Sequence, residues 1–89
     1  MKSYQIRLHK KAMKQLKKLP HEVLEKFDRL ALDLRDLGPY RANWPNYSKL
    51  GAGEFHCHLN RSYVACWTYE KGEITIEVYY VGSRENAPY

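Results

Sequence analysis

The sequence predicts an α+β domain of order β-α-α-β-β-β: an N-terminal strand, a helical hairpin, then a three-stranded antiparallel meander, with the helices packed on one side of the sheet. Three observations predict it. Apolar residues alternate singly near the N-terminus, recur every three or four positions from Ala12 to Leu37, and alternate singly again from Phe55 onward. Proline and glycine stand where the period changes, at Pro20, Gly38-Pro39 and Gly72. Finally, 89 residues without repeats, low-complexity tracts or linkers make one domain, residues 1–89.

Each element follows from its own pattern. Tyr4, Ile6 and Leu8 alternate with Gln5, Arg7 and His9, which reads as a half-buried strand. From Lys10 the period becomes helical, with Ala12, Met13, Leu16 and Leu19 on the apolar side and lysines covering the rest. Pro20 breaks this helix and opens the next, where its missing N–H costs nothing. Val23, Phe27, Leu30, Leu34 and Leu37 then form a continuous apolar stripe that Gly38-Pro39 terminates. Residues 39–53 read as a connecting loop that touches the sheet through Trp44 and Tyr47. Phe55, Cys57 and Leu59 face the core, opposite His56 and His58. A second meander strand runs from Tyr63 to Tyr69, and Glu70-Lys71-Gly72-Glu73 makes a hairpin turn. The third strand, from Ile74 to Val81, sets Ile74, Ile76, Val78 and Tyr80 against Thr75, Glu77, Tyr79 and Val81. The helices cover one face of this sheet.

Composition narrows the function classes. The 44% hydrophobic and 28% charged content is that of a globular chain. No apolar run approaches the roughly 18 residues that span a bilayer, and the lysine-rich start lacks the apolar stretch of a signal peptide. Cys57 and Cys66 have no CxxC spacing and suit small buried hydrophobes, so a reducing cytoplasm is expected. The formal net charge is +5, and it is unevenly placed. Residues 1–19 carry seven basic side chains and no acidic one, whereas residues 39–89 are balanced. A basic segment of this kind points to a polyanionic partner, nucleic acid first and an acidic protein second, against the plainer alternative of a solvated lysine face.

The candidate chemistry lies in the balanced part. His56 and His58 are two apart on a strand, so both leave one face, about 6 to 7 Å apart along the chain. Two imidazoles on rigid backbone can serve as a general acid–base pair near neutral pH; the competing view is two exposed histidines without a role. The same spacing suits two metal ligands, but no third ligand is placed for them, so no metal and no cofactor are expected. Arg84 follows a strand and Gly82-Ser83, where a guanidinium suits bidentate phosphate binding. Tyr89 stands five residues beyond it and could stack on a nucleobase, or simply pack or fray. Arg61 is a further basic candidate.

With these residues in view, the chain resembles the RelE/ParE superfamily of bacterial toxin–antitoxin toxins over essentially its whole length. The resemblance is carried by the N-terminal strand with HKKAMKQLKKLP, the loop YSKLG, the strand pair FHCHLNRSYVACWTY and the ending IEVYYVGSREN.PY. It implies a small metal-independent endoribonuclease that cleaves mRNA on the translating ribosome and so inhibits translation. It also implies neutralisation by a cognate antitoxin, through which such complexes bind operator DNA. Carried over residue by residue, His56 and His58 fall at the basic positions of the first meander strand, Arg84 at the arginine near the end of the last strand, and Tyr89 at the terminal aromatic. Lys10, Lys11, Lys14, Lys17 and Lys18, with Arg61, would contact RNA or the ribosome. The chain departs from the pattern at Val64, where many RelE-like members have arginine after the Tyr of the second strand; Arg61 or the basic helix could supply that charge. Two other classes stand beside this one: a ParE-like, non-enzymatic inhibitor of DNA gyrase, and a basic nucleic-acid-binding module whose lysines do the work.

Overall fold

A computed structural model describes residues 3–89. Lys2, counted in the basic N-terminal segment, lies outside them. The elements are β1 (Gln5–Leu8), α1 (Lys10–Leu16), α2 (His21–Leu37), β2 (Ser48–Gly51), β3 (Glu54–His58), β4 (Tyr63–Tyr69) and β5 (Thr75–Ser83). The five strands form one sheet in the order β1-β5-β4-β3-β2. β1 runs parallel to β5, and the remaining pairs are antiparallel. Backbone bonds from Gln5 N–H to Ile74 O (2.8 Å) and from His9 N–H to Val78 O (2.9 Å) lock β1 to its late partner. No helix among the described residues is long and apolar enough to cross a membrane.

Local chemistry sets the helix ends. The His9 Nδ1 accepts the Lys11 N–H at 3.2 Å and caps α1. Pro20 precedes the first turn of α2, and Gly38 ends it with φ +98° and its N–H on Leu34 O at 3.0 Å. The positive φ favours glycine there, and a side chain at Gly38 would also crowd the Tyr4 ring at 3.0 Å. The core lies between the helices and one face of the sheet. Val23, Phe27, Leu30 and Leu34 of α2 and Ala12 of α1 pack against Phe55, Cys57, Leu59, Ala65, Trp67, Ile76, Val78 and Val81. Burying a large apolar side chain of this kind stabilises by about 1.5–3 kcal/mol. Trp67 donates its indole N–H to Pro39 O at 3.1 Å, and Trp44 donates its own to Asp33 Oδ2 at 2.8 Å. Tyr47 stacks on Phe55 and Trp67, so the loop does touch the sheet through Trp44 and Tyr47.

Four details depart from the sequence expectation. Residues 39–53 are not wholly a loop: Ser48–Gly51 forms β2, an edge strand whose pairing with β3 supplies the order its non-alternating sequence lacks. Gly53 permits the tight return, with φ +71° and the Tyr69 carbonyl oxygen where a Cβ would meet it at 2.8 Å. β5 occupies Thr75–Ser83 rather than starting at Ile74, and its alternation does not run through. The register shifts opposite Cys66/Trp67, so Val78 and Val81 both enter the core while Tyr80 turns to the other face. A bulge adds one residue to one strand and reverses every later side chain. Finally, Met13 (46% exposed) and Leu37 (60% exposed) leave the apolar stripes, because α1 buries only Ala12 fully and Leu37 is the last residue of its helix.

Candidate active site

The face of the sheet opposite the helices carries a second, small apolar cluster of Val64, Cys66 and Tyr80, with Leu50, Tyr79 and Ala87 packed against it. β3 lies beside this cluster, with His56 paired to Cys66 and His58 to Val64. Strand alternation therefore puts both imidazoles on this face, 5.7 Å apart between ring centres. His56 is not the exposed residue its position suggested: it is only 7% exposed. Its ring lies 4.4 Å from the Tyr89 ring at 49°, and its Nδ1 is 3.1 Å from the Ser48 hydroxyl. That contact occupies Nδ1 and leaves Nε2 for chemistry.

Electrostatics keeps the pair neutral. Burial lowers the His56 pKa from its ordinary value; the neighbouring His58 lowers it further, and a hydrogen bond with the Ser48 backbone opposes both. Burial also lowers the His58 pKa, and the Arg84 guanidinium adds to the effect. Two neutral imidazoles near pH 7 can each accept a proton. An incoming phosphodiester would reverse the balance, since a nearby anion favours the imidazolium.

The strand ends bring in the arginines. Asn60 Oδ1 accepts the N–H groups of Ser62 (2.8 Å) and Tyr63 (2.9 Å), folding the turn that carries Arg61. Arg84 N–H donates to Ser62 O at 2.8 Å and ties the end of β5 to that turn. Arg61 and Arg84 consequently line one cleft of about 410 Å3, with Tyr63 and Ser83 in its wall. Lys10, Lys11, Lys14, Lys17 and Lys18 are exposed on α1 and the turn after it, on the helix side of the sheet, and do not join the histidines. A larger cleft of about 540 Å3 at the other end of the sheet is lined by Glu54, Glu70, Glu73 and Glu77 with only Arg7 to balance them, the wrong sign for a polyanion.

Other groups can be placed firmly. Val64 is fully buried beside His58 and packs with Cys66 and Tyr80, so this position contributes apolar floor and no charge. Burial pushes the thiols of Cys57 and Cys66 up to about 12, which leaves them without thiolate character. Among the described residues no three His, Cys, Asp or Glu side chains gather as a metal site. Sequence reasoning missed Ser48, whose only signal was its place in YSKLG; the β2–β3 register, Ser48 opposite His56, brings it to the imidazole.

Compared by sequence, the chain matches no family model and no curated protein. Compared by structure, it shares its fold with solved RelE and YoeB/ParE toxins. Over 96% of its length it superposes on 99% of a chain in the archaeal RelE–RelB complex from Pyrococcus horikoshii, with a TM-score of 0.75 at 17% identity. The YoeB/ParE toxin from Agrobacterium tumefaciens aligns over 90% of this chain and 98% of its own, with a TM-score of 0.76 at 12% identity. A chain of the intact RelBE toxin–antitoxin complex from E. coli aligns over 90% of this chain and 95% of its own, with a TM-score of 0.71 at 18% identity.

Proposed function

We propose that this protein is the toxin of a toxin–antitoxin pair and a metal-independent endoribonuclease that cuts mRNA on the translating ribosome. The observation that carries the proposal is the His56–His58–Tyr89 cluster with Arg84 beside it, on a fold shared with RelE-type toxins. Cleavage of RNA without metal needs three things: a base for the 2′-hydroxyl, charge stabilisation at phosphorus, and a proton for the departing 5′-oxygen. His58, neutral beside Arg84, takes the 2′-hydroxyl proton as that oxygen attacks phosphorus. Arg84 clamps the non-bridging oxygens as charge builds on them. The bound phosphate raises the His56 pKa, and the imidazolium returns a proton to the 5′-oxygen as the P–O bond breaks. The products are a 2′,3′-cyclic phosphate and a free 5′-hydroxyl. Tyr89, its ring tilted 49° against that of His56, offers its exposed side to a nucleobase. The surplus of positive charge draws the protein to ribosomal RNA, or to an acidic antitoxin that competes for the same surface.

Expression without an antitoxin, followed by mapping of mRNA 5′ ends, tests this. Cuts within translated codons, lost in His56→Ala/His58→Ala, are expected. Intact mRNA with accumulated gyrase–DNA breaks would overturn the nuclease in favour of a ParE-like inhibitor.

A further inference from the structure

β1 stops at Leu8, whereas β5 runs on to Ser83, so the last part of β5 has no strand on that side. α1 lies across the gap. Gln15 Oε1 accepts the Val81 N–H at 3.0 Å, pairing a donor that the missing strand leaves open. Lys11, Gln15 and Lys18 are spaced by four and three, which places them along one side of α1 and the turn after it. Between that side and the strand end runs a groove of about 360 Å3, lined among others by Lys11, Lys18, Tyr63, Tyr80 and Ser83. Tyr63 and Ser83 also wall the cleft that holds Arg61 and Arg84. The two clefts thus adjoin at Tyr63 and Ser83, one holding two lysines of the helix layer and the other the arginine beside His58.

We propose that this groove carries the single-stranded RNA backbone on one side of the scissile phosphate, with Lys11 and Lys18 neutralising phosphates and Tyr63 presenting a ring edge to the strand. The proposal rests on the ribonuclease function above and adds the path by which the strand reaches it. Lys10, Lys14 and Lys17 form a second stripe one residue round the helix, outside the groove lining, and act only through the long-range field. Glu85 lines the arginine cleft too, and the two guanidinium groups still leave it positive. The four glutamates of the opposite cleft repel a strand that strays that way, so the charge of the molecule favours this route.

The test uses a short single-stranded 2′-O-methyl RNA, which lacks the attacking hydroxyl and is bound without being cut. Its affinity is measured over a salt series for wild type, for Lys11→Ala/Lys18→Ala, and for Lys26→Ala/Arg29→Ala, which removes the same charge from exposed positions on α2. The groove pair is expected to weaken binding about tenfold or more and to flatten the log–log salt slope by about 1.4, two phosphates at about 0.7 each. The α2 pair should change affinity less than about threefold, the size of a diffuse field effect. Equal losses from both pairs overturn the groove. Cleavage of unmodified mRNA in a translating extract separates the two levels: a wild type that cuts while both pairs bind alike keeps the nuclease and loses the groove. One that neither binds nor cuts loses both.

Discussion

The ring of Tyr89 rests 4.4 Å from the ring of His56, covering an imidazole whose Nδ1 already meets Ser48. Tyr89 itself is 54% exposed, so one side of it is held by the site and the other is open to a ligand. Truncation should therefore act on both partners. Tyr89→Ala is expected to lower cleavage by the equivalent of about 1–3 kcal/mol, the range of a lost base stack. It should also raise the His56 pKa as burial is relieved, visible by NMR titration. Tyr89→Phe should keep activity; a loss equal to that of alanine would assign the work to the hydroxyl instead.

The pH dependence follows from two imidazoles lowered from 6.5. One must be neutral and the other protonated in the free enzyme, a state most populated between their two pKa values. The optimum of kcat/KM is thus expected on the acid side of 6.5. An optimum above that value would show that the pair does not share the proton work.

Stability should move the opposite way at low pH. A histidine with a depressed native pKa binds its proton more readily in the unfolded chain, so falling pH favours unfolding. The contribution is complete above the unfolded value of 6.5 and is lost progressively as pH falls toward the native values. Urea midpoints measured from pH 7.5 to 5.5 should decline, and His56→Ala should flatten the decline.

Ser48 acts through His56 as a positioning residue. Ser48→Ala removes the hydroxyl that meets His56 Nδ1 at 3.1 Å but keeps the Ser48 backbone, whose hydrogen bond opposes the downward shift, so the His56 pKa should change little. Activity should drop by the equivalent of about 0.5–1.5 kcal/mol with the fold intact. Unchanged activity would leave the Ser48 hydroxyl with no part in the site.

Val64 tests whether the missing arginine can be restored. Because the position is fully buried among Cys66 and Tyr80, Val64→Arg would bury a guanidinium without a partner. The expected result is destabilisation of about 3 kcal/mol or more, read as a lower urea midpoint, and no gain in cleavage. A stable variant with raised activity would mean the floor can open to accept the charge.

The sequence by itself determined the helices, the hairpin turn and the facing of β3, because these depend on contacts within a few residues. Val23 to Leu34 mark a helical face by spacing alone, and Gly38 and Gly72 mark where the chain must take positive φ. His56 and His58 share a face for the same local reason. Only the tertiary structure decided what lies across from them. β2 is a strand because β3 offers it an edge, and that pairing delivers Ser48 to His56. The bulge that sends Val81 inward and Tyr80 outward arises from how β4 and β5 pack together, which no alternation within β5 encodes. The contact of Tyr89 with His56 and the meeting of Arg61 with Arg84 join residues far apart in the chain. Periodicity reports which way a side chain points; what it meets there is set by long-range pairing, which a single sequence does not display.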